Sequence, residues 1–258
     1  MPDSELLPEN ILPGLKTTFI GQKILYYPRL DSTMEIARRE ALWGADAGTV
    51  IIAGEQTAGR GRLQRTWISP PGSLAISVIL RPNLDKLSSM IMLAALAVTD
   101  TIHEVTGLKP VIKWPNDILL REKKISGILI ENDIRNGQLK YTVLGIGINI
   151  NVRISQYPEI ATIATSLADE LGREISRRDV LVSLLEELER GYRALANDQA
   201  VWQRWKDNLV TLGQKVQVQI GRQIYTGTAE EVTRDGSLML RQKEGGLVKI
   251  IAGDVSLQ

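Results

Sequence analysis

The stretch VIKWPNDILLREKKISGILIENDIRNGQLKYTVLGIGI, residues 111–148, decides the fold class. It holds four apolar, β-branched runs with turn residues between them and no helix, and the Asn136-Gly137 pair is a hairpin turn signal. Strands that adjoin in sequence break the strand–helix alternation of a parallel sheet. We therefore predict an α+β fold with a mixed sheet layered with helices. The four predicted strands are residues 111–114, 118–120, 125–131 and 139–148.

Helices and strands are intermixed on either side of this stretch. Ser32 and Glu35 have the spacing of a capping box, which predicts a helix beginning at Ser32 and ending near Trp43. Gly107 is a natural end for the next helix, and residues 1–20 are predicted to be a poorly specified lead-in. The other predicted strands are residues 23–27, 49–53 and 73–80, and the other helices are residues 88–105, 179–195 and 199–208.

The last part of the chain changes in texture from about Leu212. Short β runs alternate with glycines, including Gly227 and the Gly245-Gly246 pair. This is the pattern of a small β-barrel of about five strands. A boundary near residue 210 follows, with residues 1–210 as the main domain and residues 211–258 as a small β domain.

Composition excludes several kinds of chemistry. The 258 residues include no cysteine, which rules out disulfides, thiolate zinc sites and cysteine nucleophiles. The one histidine, His103, lies in an apolar helical stretch and is predicted to be a helix-borne residue with a satisfied ring. A net charge of +1 gives no basic field for non-specific nucleic-acid binding.

The sequence shows neither the pattern of a transmembrane helix nor that of a signal peptide. The most apolar run, residues 90–98, is too short to span a bilayer. Residues 1–10 have acids where a signal peptide needs lysine or arginine. We therefore expect a cytoplasmic protein without membrane association.

Residues 59–67, GRGRLQRTW, are the strongest functional signal, and we name them the arginine loop. Glycine lets a backbone approach a ligand closely, and arginine supplies a permanent charge with a planar set of donors for carboxylate or phosphate oxygens. The run predicts a mobile anion-binding loop, with a solvated surface loop as the alternative.

Three further segments place polar groups beside proline or glycine. Residues 113–117, KWPND, bend the chain at a proline and present Asn116 and Asp117 at a strand end. Residues 123–127, KKISG, put an ammonium beside a glycine, and residues 145–151, GIGININ, indicate close backbone approach. The first two also have plain alternatives, a turn and a hairpin tip with solvated lysines. The chain matches neither the dinucleotide-binding nor the P-loop template.

In this order, the segments resemble the motifs of the biotin protein ligases, which attach biotin to biotin carboxyl carrier protein. The resemblance is carried by residues 31–33, 56–62, 67, 113–117, 124–131 and 145–149, and it extends over about residues 24–258. It implies a catalytic domain related to class II aminoacyl-tRNA synthetases, a small SH3-like β-barrel C-terminal domain, and a ligase that forms a carbon–nitrogen bond. The implied substrates are biotin and ATP, with Mg²⁺, and the implied partner is the carrier protein of acetyl-CoA carboxylase.

The resemblance also implies roles for individual residues. Arg60, Arg62 and Lys124 would be the catalytic cations, and Asp117 would lie near Mg²⁺. The implied biotin-binding residues are Ser32, Thr33, Gln56, Gly59, Arg60, Arg62, Lys124 and Gly127. The residues implied for ATP and the adenylate are Arg62, Arg65, Trp67, Asn116, Lys124 and Asn149.

Three features depart from the family pattern. Met34 stands where many members have asparagine, and Gln64 stands where the loop usually has another glycine, which implies a stiffer loop. About thirty residues precede Ser32, too few for the DNA-binding winged helix-turn-helix of bifunctional members. We therefore expect a monofunctional ligase without specific DNA binding. A homodimer is left open, because the strand-rich residues 125–132 could pair across it.

Two rival interpretations stay open. A lipoate ligase would share the fold and the adenylation step but have a differently shaped pocket, whereas octanoyl transferases are disfavoured because they use a cysteine nucleophile. A nucleic-acid-binding protein would use the arginine loop and the β-barrel, and it needs stacking aromatics and a basic face. One phenylalanine and a net charge of +1 argue against it.

Overall fold

A computed structural model describes residues 4–257, and its largest element is a seven-stranded mixed sheet. The strands are β1 (Ile24–Tyr27), β2 (Val50–Ala53), β3 (Leu74–Leu80), β4 (Val111–Lys113), β5 (Asp117–Leu120), β6 (Lys123–Arg135) and β7 (Gln138–Ile148). Their order in the sheet is β1-β2-β3-β7-β6-β5-β4. Only β1 and β2 pair in parallel, and the other neighbours are antiparallel. The seven predicted strands and the α+β class are confirmed.

The predicted hairpin forms the centre of this sheet. Asn136 and Gly137 connect β6 to β7 with φ angles of 52° and 73°, the left-handed conformation that a two-residue hairpin turn requires. The register sets Gly127 opposite Gly147 and Leu129 opposite Gly145. This pairing places three glycines next to one another at the centre of the sheet.

The helices divide between the two faces of the sheet. They are α1 (Pro8–Ile11), α2 (Thr33–Leu42), α3 (Leu87–Thr106), α4 (Leu167–Leu171), α5 (Arg177–Ala194) and α6 (Asp198–Asp207). Successive side chains of a strand point to opposite faces, so Ile51 packs with Met34 and Ala37 of α2, whereas Val50 and Ile52 join the larger apolar cluster that contains α3 and α5. On its face α2 packs against β2, β3 and β7 and leaves part of the sheet uncovered, where a cavity lies.

The capping-box prediction for α2 is wrong. Ser32 directly precedes the helix, but its side chain makes no capping hydrogen bond, and its buried hydroxyl has no partner among residues 4–257. Gln56 takes that role, because its Oε1 accepts from the backbone N–H of Thr33 at 2.9 Å and from Thr33 Oγ1 at 3.1 Å. The Ser32 hydroxyl is therefore not used by the helix.

The prediction of a poorly specified lead-in is wrong for residues 4–20, while residues 1–3 lie outside the described part of the chain. Leu6 and Ile11 are fully buried against the main core. Glu189 of α5 holds the following segment, since its carboxylate accepts hydrogen bonds from the backbone N–H groups of Thr18, Phe19 and Ile20 at 2.9–3.0 Å. Glu189 is some 170 residues away along the chain, so local sequence does not indicate this attachment.

The carboxylate of Glu189 gives the fold an acid-sensitive attachment. Burial alone would raise its pKa, but the backbone N–H donors outweigh burial and lower the pKa from 4.5 to about 2. A depressed pKa means that the stabilisation is complete above pH 4.5 and is lost as the pH falls towards 2.

We therefore expect Glu189→Gln to lower the free energy of unfolding by about 2–3 kcal/mol at pH 7. The difference from wild type should shrink progressively as the pH is lowered from 4.5 towards 2. Urea unfolding of the wild-type and variant proteins at several pH values between 2 and 7 measures this difference. Glu186→Gln is the matched control, because the Glu186 carboxylate accepts a single hydrogen bond within residues 4–257, from the Lys16 N–H at 3.1 Å. A deficit that does not change with pH would contradict the role of the charge.

The C-terminal part forms a separate five-stranded antiparallel sheet, with the number of strands that the sequence predicts. Its strands are β8 (Lys215–Ile220), β9 (Gln223–Val232), β10 (Leu238–Arg241), β11 (Leu247–Ile250) and β12 (Asp254–Leu257), in the order β11-β10-β9-β8-β12. Two indoles tie it to the rest of the chain. Trp114 Nε1 donates to the Gly236 carbonyl oxygen at 2.8 Å, and Trp202 Nε1 donates to that of Thr233 at 2.9 Å.

The structure also shows the surroundings of the one histidine and the lengths of the helices. His103 lies in α3 with its Nδ1 3.0 Å from the carbonyl oxygen of Leu108, which confirms a helix-borne, satisfied ring. Within the described part of the chain, no helix is both long enough and apolar enough to cross a membrane.

Candidate active site

The floor of the site is a patch of small residues at the centre of the large sheet. Ala75 and Ser77 of β3 lie opposite Gly147 and Gly145 of β7. Gly127 of β6 lies on the other side of Gly147. These positions share the face that α2 covers only in part, so the absence of large side chains leaves room above the sheet.

The indole of Trp67 occupies the slot above two of these glycines. A Cβ added at Gly147 would lie 2.4 Å from ring atoms of Trp67, and one added at Gly127 would lie 3.2 Å from the ring. The Trp67 Nε1 is buried and has no hydrogen-bond partner among residues 4–257. The predicted close approach is confirmed at Gly147, and an indole donor is left without a partner beside the cavity.

Gly147→Ala is expected to expel the Trp67 ring from this slot, because a contact of 2.4 Å cannot be accommodated against a ring packed on backbone. Acrylamide quenching of tryptophan fluorescence should rise in the variant, and the rise should vanish in a Trp67→Phe background. Gly191→Ala is the control, since its added Cβ would meet Leu93 at an ordinary 3.4 Å. Unchanged quenching in folded Gly147→Ala would contradict the packing.

The arginine loop forms a tight hairpin over the cavity. The Trp67 N–H donates to the Gly59 carbonyl oxygen at 2.9 Å, and the Gly61 N–H donates to that of Arg65 at 2.8 Å. A side chain at Gly59 would place its Cβ 2.3 Å from the Trp67 carbonyl oxygen, so glycine is required there. Gln64 adopts a φ of 60°, the left-handed conformation that glycine takes without strain.

Arg60 is held by carboxylates beside the cavity. Its Nη2 lies 2.7 Å from Glu131 Oε1 of β6, and its Nη1 lies 3.9 Å from Glu35 Oε2 of α2. The side chain is about half exposed (48%), so this pairing contributes little to stability. Arg60 can therefore exchange a carboxylate for an anionic ligand at small cost.

Arg62 points into the cavity and is bound to an amide. Its Nη1 donates to Asn116 Oδ1 at 2.7 Å, and Asn116 Nδ2 donates to the Ile128 carbonyl oxygen at 2.9 Å. Burial of the Arg62 guanidinium lowers its pKa, and the nearby Asp254 and Asp117 only partly oppose this. Because no carboxylate of residues 4–257 lies within ion-pair distance, these residues leave the Arg62 charge incompletely neutralised.

Lys124 and Asp117 form the ion pair in the middle of the cavity. Lys124 Nζ lies 2.6 Å from Asp117 Oδ1 and 5.5 Å from the centroid of the Trp67 ring. The register shift in the β5–β6 pairing next to Leu119, which lies opposite Lys124, moves the lysine relative to its neighbours on β6. An ammonium so placed can interact with a phosphoryl oxygen above the floor.

A chain of hydroxyl and amide groups lies at the opposite end, under α2, where Ser32, Thr33 and Gln56 line the cavity and the buried Ser77 lies behind them. Ser77 Oγ donates to Thr33 Oγ1 at 2.8 Å, and Thr33 Oγ1 in turn donates to Gln56 Oε1. The unpartnered Ser32 hydroxyl lies beside them. This end offers neutral hydrogen-bonding groups, whereas the end under the arginine loop is rich in cations.

The cavity has a volume of about 870 Å³ and brings twelve of the thirteen predicted site residues together. Gly59 is the exception, because it is buried in the base of the hairpin and its role is to shape the loop. The residues that line it are Ser32, Thr33, Gln56, Arg60, Arg62, Arg65, Trp67, Asn116, Asp117, Lys124, Gly127 and Asn149.

Asn149 and Met34 differ from what the sequence indicates. Asn149 is buried, and the protein itself supplies a partner, since Nδ2 donates to the Thr165 carbonyl oxygen at 3.0 Å. Met34 is also buried, with its Sδ 2.4 Å from where a Cβ on Gly145 would lie. Met34 therefore fills the space above Gly145 and narrows the cavity beneath α2.

Sequence reasoning missed three charged residues of the cavity, Lys113, Glu122 and Asp254. Asp254 of β12 forms an ion pair with Arg65, so the C-terminal sheet holds the end of the arginine loop. Lys113, at the end of β4, lies opposite Asp117 in the register. Lys113 was part of the KWPND segment but was not assigned a role. Asp254 could not be identified from sequence, because its ion pair with Arg65 joins two distant parts of the chain.

Comparison with known proteins agrees with this geometry. The sequence profile of the biotin/lipoate A/B protein ligase family matches residues 26–149, and that of the biotin protein ligase C-terminal domain matches residues 211–258. The bifunctional ligase/repressor BirA of Bacillus subtilis is 36% identical over 250 residues, covering 95% of this chain and 77% of that protein. The biotin–[acetyl-CoA-carboxylase] ligase of Paracoccus denitrificans is 30% identical over 235 residues, covering 84% and 93%. The solved structure of the biotin protein ligase from Aquifex aeolicus, in complex with biotin and ATP, matches with a TM-score of 0.79 at 29% identity, covering 92% of this chain and 99% of that one.

Proposed function

This chain belongs to the biotin/lipoate A/B protein ligase family, and we propose that it is an ATP-dependent biotin protein ligase. It activates biotin as biotinyl-5′-AMP and transfers the biotinyl group to a lysine of the biotin carboxyl carrier protein of acetyl-CoA carboxylase. The observation that carries this proposal is a single cavity that joins a hydroxyl- and amide-lined end to a cation-rich end.

The first step joins two anions. A carboxylate oxygen of biotin attacks the α-phosphorus of ATP, the bond from that phosphorus to the bridging oxygen breaks, and pyrophosphate leaves with the electron pair. No protein nucleophile is needed, which suits a chain without cysteine. Fixed positive charge is the main requirement. Arg60, Arg62 and Lys124 are proposed to supply it, with Arg60 exchanging Glu131 for the ligand.

The second step forms the amide. The amine nitrogen of the acceptor lysine attacks the carbonyl carbon of the mixed anhydride, the bond from that carbon to the AMP oxygen breaks, and the nitrogen loses a proton to solvent. The anhydride must be protected from water until then. The hairpin hydrogen bonds of the arginine loop and its attachment at Arg65 to Asp254 support closure over the intermediate.

The remaining roles follow from where unsatisfied groups lie. The free Ser32 hydroxyl, with Thr33, Gln56 and Gly127, is proposed to bind biotin. The free Trp67 Nε1 is proposed to serve the adenylate. Arg65, Asn116 and Asn149 are proposed to complete the adenylate site.

Mg²⁺ is proposed as the metal of the ATP substrate. Residues 4–257 hold no cluster of three or more His, Cys, Asp or Glu side chains that could bind a metal, so a metal site made of protein alone is not expected. A site with a single protein carboxylate fits Mg²⁺, which commonly uses one carboxylate together with phosphate oxygens and water. Asp117 would be that carboxylate, and the ion would neutralise phosphate charge.

Finer assignments of architecture are part of the same proposal. Residues 1–210 would be a catalytic domain of the class II aminoacyl-tRNA synthetase type, and residues 211–258 an SH3-like domain. The cytoplasm, where ATP is supplied, is the proposed compartment. A homodimer through residues 125–132 is restricted by the register, because residues 126 and 127 pair with both β5 and β7. Sedimentation of the purified protein tests it.

The two rival interpretations remain distinguishable by experiment. A lipoate ligase would use the same cations but accept a substrate with a dithiolane ring in place of the ureido ring. A nucleic-acid-binding protein would show binding that weakens steeply with salt. The neutral end formed by Ser32, Thr33 and Gln56 favours a substrate with hydrogen-bonding groups, which biotin has in its ureido ring.

The proposed transfer is tested with a purified biotin carboxyl carrier domain. Incubation with biotin, ATP and Mg²⁺ should add one biotinyl group to one lysine, as seen by mass spectrometry, and an acceptor Lys→Arg variant should remain unmodified. Lipoylation in place of biotinylation would favour the rival ligase. No modification, with either acid, would contradict the proposal.

A further inference from the structure

Lys113 is a cation of the cavity that forms no ion pair with any carboxylate of residues 4–257. Five cationic and three anionic side chains line the cavity. Arg60, Arg65 and Lys124 each form an ion pair there. Within the described part of the chain, no ion pair or hydrogen bond involves the Lys113 ammonium, and Arg62 is bound only to an amide oxygen. The protein thus leaves two positive charges in one cavity without a carboxylate partner.

The two uncompensated cations lie in the same corner. The pKa values of Arg62 and Lys113 respond to the same three charged neighbours, Asp117, Asp254 and Arg65. Burial lowers the pKa of the Lys113 ammonium, although Asp117 and Asp254 oppose this. A partly buried charge without a partner is costly, so an anion bound here would relieve a cost already present in the free protein.

The corner lies at the junction of the two sheets. Lys113 ends β4, the edge strand, and the preceding Ile112 forms a bridge with Leu209. Val210 and Gln214 line the cavity beside it. This corner is therefore at the far end of the cavity from the hydroxyl groups beneath α2.

The strand order gives the spacing between the two ends. From Ser77 on β3 the order runs through β7, β6 and β5 to Lys113 on β4. Four strand spacings of about 4.8 Å put these positions on the order of 19 Å apart. Lys124, on β6, lies about half way along. A carboxylic acid bound under α2 would thus meet an α-phosphorus near Lys124, and further phosphates would extend towards β4.

We propose that Lys113 binds the β- and γ-phosphoryl oxygens of ATP and retains the pyrophosphate that leaves. This assignment rests on the proposed adenylation reaction. A lysine ammonium is a suitable partner for such a tail, because it acts as a point charge that can donate to several oxygens. Lys113 acts in the first step only, since no pyrophosphate is present during transfer to the acceptor lysine.

The test separates the two steps in Lys113→Met. Biotin-dependent exchange of pyrophosphate into ATP should show KM values for ATP and pyrophosphate raised about tenfold or more. Transfer from supplied biotinyl-5′-AMP to the carrier domain should stay within about twofold of wild type. Lys109→Met, an exposed lysine outside the cavity, is the matched control. Lys113→Arg should recover much of the exchange by restoring the charge.

The other outcomes overturn the assignment. Unchanged exchange would mean that Lys113 does not contact the phosphates. Selective loss of transfer would make the lysine a proton acceptor for the incoming amine instead. An unchanged dissociation constant for biotin confirms that the variant is folded. If Lys113→Met does not fold, Lys113→Gln replaces it in the same measurements. Wild-type protein that catalyses no biotin-dependent exchange would refute the proposed function itself, a result distinct from these.

Discussion

Replacing Lys124 with glutamine is expected to lower the rate of biotinyl-adenylate formation about 100- to 1,000-fold, the usual effect of removing one charge-stabilising donor. The ammonium belongs to a residue that lines the cavity, and it is paired with Asp117 at 2.6 Å. Its removal has two effects, because the phosphoryl charge loses a partner and the Asp117 carboxylate becomes unneutralised. Rapid-quench measurement of the adenylate in a single turnover reports the loss.

Two further variants separate these effects. Lys123→Gln is the matched control, since Lys123 is exposed and lies outside the cavity. The double variant Lys124→Gln/Asp117→Asn removes the unpaired carboxylate. We expect it to recover only a small part of the rate, because the missing charge is the larger effect. Full recovery would contradict a direct role of Lys124 and assign the loss to repulsion from Asp117.

The second large effect is expected from Arg62→Gly, which should leave a folded protein that releases biotinyl-5′-AMP prematurely. Arg62 joins the arginine loop to the sheet through its 2.7 Å hydrogen bond to Asn116. A hydrogen bond from a charged group contributes about 1.5–3 kcal/mol, so release should accelerate about tenfold or more. Adenylate recovered in the filtrate, and biotinylation of lysines on an unrelated protein, measure the release.

Leu63→Gly is the control that separates lost charge from added flexibility. Leu63 adjoins Arg62, is 60% exposed, and has a φ of 51° that glycine adopts readily. It should therefore introduce the same flexibility without removing a cation, and it should retain the adenylate as wild type does. Equal release from both variants, or none from Arg62→Gly, would contradict the role of the guanidinium.

The strands of the large sheet could be predicted because their signals are local. The β6–β7 hairpin depends on apolar strands and on two turn residues that accept positive φ, and both are visible in sequence. Gly147 could likewise be identified as a point of close approach, whereas Gly127 was identified only as a glycine beside a lysine. Their partner, the Trp67 ring, could not, because it arrives from a loop some 60 residues or more away along the chain.

The errors concern residues whose partners are distant in sequence. Ser32 and Glu35 have a capping-box spacing, but Gln56, 23 residues after Thr33, provides a better acceptor for the first turn of α2. The short helices before residue 15 are held by burial of Leu6 and Ile11 in the core, and the segment after them is held by Glu189; neither contact appears in local periodicity. Local propensity is a weak guide where tertiary contacts supply the stabilisation.

Charge pairing in the site was hidden for the same reason. The sequence identifies Arg60, Arg65 and Lys124 as cations but does not show that each is already paired with a carboxylate. Asp254 is an ordinary strand residue until β12 is packed against the arginine loop. Lys113 becomes distinctive only by comparison, as the lysine of the cavity for which the described residues provide no such partner.

Exchange of labelled pyrophosphate into ATP, with biotin, lipoate or no acid added, tests the central claim most directly, because it reports reversible adenylation without requiring an acceptor protein. We predict exchange that depends on biotin and is absent without an acid. Exchange supported by lipoate but not biotin would keep the adenylation chemistry and overturn the substrate. No exchange with either acid, from protein shown to be folded, would contradict the account.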